Sequence, residues 1–149
     1  YYDPASEHAL GIVRHLANLT DPVQNSGNRL LMCGGTTVEI GALDGIQYSN
    51  SYYLERSLNW TALLIEANPS NYAALETNRP GPLAHNFHAA MCNEESVDFI
   101  IGRTAATGGV ASTMGKKHKE FWSTNKTITV PCSQLSKVFS SAGVRHIDV

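Results

Sequence analysis

The sequence predicts an α/β fold on a mainly parallel sheet, and three observations carry that reading. Strand-like runs alternate with helix-periodic segments from residue 36 onward. One of those runs, Leu63-Leu64-Ile65, is continuously apolar, as in a strand buried on both faces. A glycine loop follows the first run, Thr36-Thr37-Val38-Glu39-Ile40. Strand, helix, strand, helix, strand requires connections long enough to return across a sheet face, which gives parallel neighbours with right-handed crossovers.

The elements follow in order. Ser6 is placed to cap a helix whose Ala9, Ile12, Val13 and Leu16 share one face before Asp21-Pro22 stops it. Residues 23–35 are rich in Asn, Ser and Gly and read as a loop, so residues 1–35 form a lead-in and 36–149 the domain proper. β-branched residues make 36–40 the first strand, which ends at Gly41. Tyr48-Ser49-Asn50 supplies polar capping for a helix over Tyr52 to Leu58, and Leu63 to Ile65 form the second strand, ending at Glu66. Asn68 and Pro69 suit the N-cap and first position of a helix reaching Asn78, closed by Arg79-Pro80-Gly81-Pro82. A third strand is expected around Phe87 to Met91 and a fourth segment of strand over Val97 to Ile101. Residues 102–126 read as a long loop with a short helix near Lys117 to Trp122, followed by a strand over Thr127 to Val130. Ser133 is expected to cap a helix presenting Leu135, Val138, Phe139 and Ala142, with Gly143 just past its end, and His146 to Val149 open a further strand.

Composition narrows the function classes. Of 149 residues 42% are hydrophobic and 16% charged, which belongs to an ordinary folded domain. Eleven Lys plus Arg against thirteen Asp plus Glu leave a charge of -2, with no basic excess to grip a phosphate backbone, so no nucleic-acid partner is expected. The run Lys116-Lys117-His118-Lys119 is followed by Glu120 and reads as a solvated helix end. No apolar run has the length of a membrane span. Cys33, Cys92 and Cys132 lack Cys-x-x-Cys spacing, which disfavours a zinc knuckle or a thioredoxin motif. His85 and His88 fall on opposite faces of a regular strand without an evident third ligand, so no metal site is expected. Three N-glycosylation sequons begin at Asn18, Asn59 and Asn125; with a Cys92 to Cys132 bridge they would point to the secretory pathway, and the compartment, cytoplasmic or secretory, stays open.

The chemistry concentrates after the first strand. Val38-Glu39-Ile40-Gly41-Ala42-Leu43-Asp44-Gly45 places an acid on a strand before two glycines four apart, a nucleotide-type loop. A dinucleotide fingerprint needs a second glycine where this chain has Leu43, so a bare NAD site is disfavoured. Acids near the loop suit a cationic ligand with an ammonium group, such as S-adenosylmethionine. Glu66 ends the next strand 21 residues after Gly45, where doubly wound folds place the acid that accepts from ribose hydroxyls.

These residues, together with Tyr48-Ser49-Asn50, Leu63 to Pro69, Asn78-Arg79-Pro80, His88 to Cys92, Gly108-Gly109-Val110, Val130-Pro131-Cys132 and His146 to Val149, resemble the FkbM methyltransferase family. The resemblance implies a Rossmann-like class I methyltransferase sandwich whose later strands, beyond an Asp-x-Glu-Gly block, lie past Val149. It implies S-adenosylmethionine as cofactor and methyl transfer to a hydroxyl of a sugar, glycan or other small molecule. By position, Glu39, Gly41, Ala42, Asp44 and Gly45 would surround the methionine part of the cofactor, and Ser49 and Asn50 its carboxylate. Glu66 would hold the ribose, Ala67 and Asn68 would flank the adenine, and Ala89 and Ala90 would face the ring.

Methyl transfer from a sulfonium is an in-line displacement, in which the protein mainly positions the two partners and excludes water. Asp44, His88 and Asp148 are the titratable residues nearest strand ends, but each has a plainer role as loop cap, core-edge imidazole or sheet-end acid, and no catalytic base is assigned. Two rival readings are an inactive methyltransferase-like interaction or trafficking module and a dinucleotide-binding oxidoreductase domain. A sheet that stops at its fourth strand would also expose an apolar edge, through which self-association is expected.

Overall fold

The computed structural model describes residues 33–149. The helix expected after Ser6 and nearly all of the loop expected over 23–35 lie outside the described residues. The elements run β1 (Thr36–Ile40), α1 (Ser51–Leu58), β2 (Thr61–Glu66), α2 (Pro69–Asn78), β3 (Ala84–His88), β4 (Ala90–Met91) and β5 (Ser96–Gly102). A 3-10 turn (Ala105–Thr107), β6 (Gly109–Val110), α3 (Lys116–Trp122), β7 (Ser123–Ser133) and α4 (Leu135–Ala142) complete them.

β1, β2 and β3 form a parallel sheet in that order, with Val38 opposite Leu63 and Ile65 opposite Phe87. The side-chain alternation of a strand then sorts β2 onto two faces. Ala62 and Leu64 pack with Ala42 and with Leu75 of α2 on one face, while Leu63 and Ile65 pack with Val138, Phe139 and Ala142 on the other. Leu63, Leu64, Ile65 and Leu75 are at most 1% exposed; burying each such side chain contributes about 1.5–3 kcal/mol. The continuous apolar run therefore has the cause assigned to it, a helix against each face.

α2 starts where expected, with the Asn68 side chain accepting from the Ser70 N–H at 3.0 Å and Pro69 in the first turn. At α1 the capping acceptor is Ser49, whose Oγ accepts from the Tyr52 N–H at 3.1 Å, while Asn50 occupies the cap position without a side-chain bond. α4 ends on Gly143 at φ 67°, the left-handed conformation that glycine adopts without a Cβ penalty. Its start differs from expectation. Gln134 occupies the cap position without a side-chain bond, and Ser133 is the last residue of β7.

The single, mainly parallel sheet is corrected to two sheets. The second has the order β4-β7-β5-β6; β4 runs parallel to β7, and β5 is antiparallel to both β6 and β7. The expected third strand divides because the Ala89 N–H turns to Glu66 O while Ala90 and Met91 pair with Cys132 and Ser133. Antiparallel pairing also reaches into the expected loop: Val110 pairs with Phe99, and β7 begins at Ser123, opposite Gly102. Ala90, Phe99 and Val130 form the core beneath this sheet, and Cys92 and Cys132 are joined by a disulfide with a Cα separation of 5.4 Å. The stretch His146 to Val149 is not a strand of either sheet. It lies against the outer edge of β1, with the Val38 N–H donating to Val149 O at 2.9 Å and the Asp148 N–H to Thr36 O at 2.8 Å.

Candidate functional site

The C-terminal ends of parallel strands are where open α/β sheets place ligands, and a cleft of about 340 Å³ opens there. Gly41 and Leu43 after β1, Glu66 and Ala67 at the end of β2, and Ala89 and Ala90 after β3 line one side. The second sheet and its turn supply the other side through Phe99, Ala105, Gly108, Gly109 and Val110. The walls are thus largely apolar, with one carboxylate between them.

That carboxylate is Glu66, only 5% exposed. Its Oε2 accepts from the Leu43 N–H at 2.9 Å and its Oε1 from the Asn68 N–H at 2.7 Å. Burial raises the carboxyl above the ordinary 4.5, and the N–H groups of Asn68 and Leu43, the Asn71 side chain and the Ala67 N–H pull it back. The structure thus brings a buried, hydrogen-bonded carboxylate to the lining of the cleft.

Gly41 sits at φ 81°, with its N–H on Ile65 O at 2.8 Å, and a Cβ there would stand in open space beside the cleft. Gly45, at φ 79°, has a different constraint: a Cβ would come within 2.5 Å of Leu75 and 2.7 Å of Arg79. The first glycine leaves the cleft mouth clear, and the second lets the loop lie against α2.

Glu39 faces elsewhere. Its carboxylate accepts from the Ser49 hydroxyl at 2.7 Å, the Ser51 hydroxyl at 2.6 Å and the Asn50 N–H at 2.8 Å, all at the start of α1. A carboxylate at a helix N-terminus is favoured by the unpaired N–H groups there. The Ser49 and Asn50 donors assigned to a cofactor carboxylate thus serve Glu39 in this structure. Behind them lies Arg79, fully buried, donating to Glu55 through Nε (2.9 Å) and Nη2 (2.6 Å) and to Gly45 O through Nη1 (2.7 Å). Its guanidinium also lies 5.3 Å from the centre of the Tyr52 ring. Breaking a buried pair of this kind costs about 3–5 kcal/mol, so Arg79 pins the glycine loop to α1.

Of the twelve residues assigned from sequence, Gly41, Glu66, Ala67, Ala89 and Ala90 line the cleft. Glu39, Ser49 and Asn50 form the cluster at α1. Ala42 is buried against Leu64 and Leu75. Asp44 closes its own turn, accepting from the Ile46 and Gln47 N–H groups at 2.9 and 2.7 Å, and Asn68 caps α2 while donating its N–H to Glu66. The plainer roles of the other two titratable residues are also visible. His88 stacks on Tyr72 at 4.9 Å between ring centres, and Asp148 accepts from the Thr36 N–H at 2.8 Å. Sequence reasoning missed Phe99, Ala105, Ala106 and Val110, which face the cleft from the second sheet and its loop. The Gly108-Gly109 pair was the available signal: a Cβ at Gly108 would meet the Phe99 ring at 2.8 Å.

The model of one family, the methyltransferase FkbM domain, matches residues 39–149. No curated protein and no solved structure matches the chain.

Proposed function

Since this chain belongs to the FkbM methyltransferase family, we propose that its cleft binds S-adenosylmethionine and serves methyl transfer to a hydroxyl oxygen of a sugar, glycan or other small molecule. The observation that carries the reading is Glu66: a buried carboxylate, the one acid among the residues lining an otherwise apolar cleft. A vicinal diol is a fitting partner for it, because two hydroxyls can donate to one carboxylate. The small side chains of Ala67, Ala89 and Ala90 leave room for a flat ring, and a cleft of about 340 Å³ lies within the range of small-molecule sites. In this reading the parallel sheet, with helices on both faces, is the front of a Rossmann-like class I methyltransferase sandwich.

The bound cofactor would supply an electrophilic methyl group on a sulfonium. The chain's own residues would position it. Glu66 would accept the ribose hydroxyls, Ala67 and Asn68 would flank the adenine edge, and Ala89 and Ala90 would lie against the ring. Gly41, Ala42, Asp44 and Gly45 form the turn beside the methionine end, with Gly41 lacking a Cβ where the backbone must be approached. Glu39 would contribute negative charge near that end while fixing the start of α1. Phe99 and Val110 would exclude water from the opposite wall, which strengthens every polar contact within.

A thermal-shift screen tests the ligand class. S-adenosylmethionine and its demethylated product should raise the melting temperature with increasing concentration, as binding to the folded state requires. A shift with NAD and none with either sulfur ligand would overturn the reading.

A further inference from the structure

We propose that this chain folds in an oxidising secretory compartment and carries an N-linked glycan on Asn125. The first observation is the Cys92–Cys132 disulfide, which ties the end of β4 to β7 across a sequence separation of 40 residues. Bridges of this kind persist in secretory and extracellular compartments and are rare where thiols are kept reduced. The second is independent of the first. Both sequons among the described residues, at Asn59 and Asn125, place their asparagine on the exposed surface.

The two sites differ in their surroundings. Asn59 closes α1 in a left-handed conformation at φ 54°, between Leu58 at 5% exposure and Trp60 at 0%. Asn125 is followed by Lys126 and Thr127, both exposed. It also lies where β7 leaves its regular pairing with β5, between the Gly102–Ser123 pair and the Ile100–Thr127 pair. An oligosaccharide there would project from an irregular, solvated stretch of strand without displacing core side chains. Asn125 is not among the residues lining the cleft, so its glycan would leave the cleft open.

The modification needs a polyprenyl-diphosphate-linked oligosaccharide as donor. The Asn125 side-chain nitrogen forms a bond to the anomeric carbon of the first sugar. The bond from that carbon to the diphosphate oxygen breaks, the polyprenyl diphosphate leaves, and the amide gives up one proton.

The test uses the protein isolated from its own cells, alkylated without reduction and then treated with peptide-N-glycosidase F in heavy-oxygen water. Mass spectrometry should find Asn125 converted to heavy-oxygen-labelled Asp, and Cys92 and Cys132 joined in one linked peptide pair. Asn125→Gln should abolish the glycosidase-sensitive band shift assigned to this site, while Asn59→Gln leaves it in place. An unmodified Asn125 peptide, a glycan at Asn59 alone, or alkylated Cys92 and Cys132 would each overturn the proposal.

Discussion

Glu39 and Glu66 are the same residue type on neighbouring parallel strands. Glu39 lies opposite Leu64, one pleat before Glu66 and on the same face of the sheet. Their surroundings differ. Glu39 accepts from two hydroxyls and an N–H at the start of α1, whereas Glu66 accepts from the N–H groups of the glycine loop and of the start of α2 and faces a cleft. A strand-end acid is therefore not a ligand-binding group by position alone. What separates the two is that Glu66 lines the cleft and Glu39 does not.

Removing the support of the first acid should have the largest effect. Arg79→Leu leaves Glu55 buried without its cation and frees Gly45 O, and should cost about 3–5 kcal/mol of stability in denaturant unfolding. A change below about 1 kcal/mol would show that the loop and α1 hold without it. The second acid should affect ligand more than fold. Glu66→Ala should weaken S-adenosylmethionine binding by roughly 10- to 100-fold in calorimetry, the effect of losing hydrogen bonds to a charged group. Glu39→Gln should show the reverse emphasis, lowering stability by about 1–2 kcal/mol with a smaller change in affinity. Equal affinity losses at both positions would erase the distinction.

A pH series sharpens it further. The Glu66 carboxyl is raised above the ordinary 4.5 by burial, and its ionised form accepts from hydroxyls more strongly than its protonated form, which carries a donor on one oxygen. Ligand affinity should thus fall as pH drops through that raised value, before ordinary glutamates titrate. The unliganded protein should respond with the opposite sign. Its folded form holds this proton more tightly than the unfolded chain, so the group's stabilising contribution is full below 4.5 and is lost as pH rises through the raised value. Affinity unchanged on acidification, in a range where the protein stays folded, would remove Glu66 from the site.

Local chemistry was legible where a local cause sets the structure. The Asn68-Pro69 start of α2, the Gly143 end of α4 and the doubly buried Leu63-Leu64-Ile65 follow from neighbouring residues and from side-chain alternation. Long-range pairing was not legible. The break at Ala89, the pairing of β6 with β5 and the early start of β7 depend on partners distant in sequence, and residues 102–126 have no strand periodicity to announce them. The same limit hid Arg79. Beside Pro80 it reads as the end of a helix, and its burial against Glu55 arises only when α1 and α2 meet. Half of the cleft was missed for this reason, since its second wall comes from the sheet that the sequence did not disclose.

The most direct test pairs the Glu66→Ala change with a change in the ligand. Calorimetry of wild type and variant, each with S-adenosylhomocysteine and with its analogue lacking both ribose hydroxyls, closes a double-mutant cycle. If Glu66 grips the diol, wild type should lose roughly 10- to 100-fold in affinity when the hydroxyls are removed, and the variant should lose far less. Equal losses in both proteins would place the ribose elsewhere.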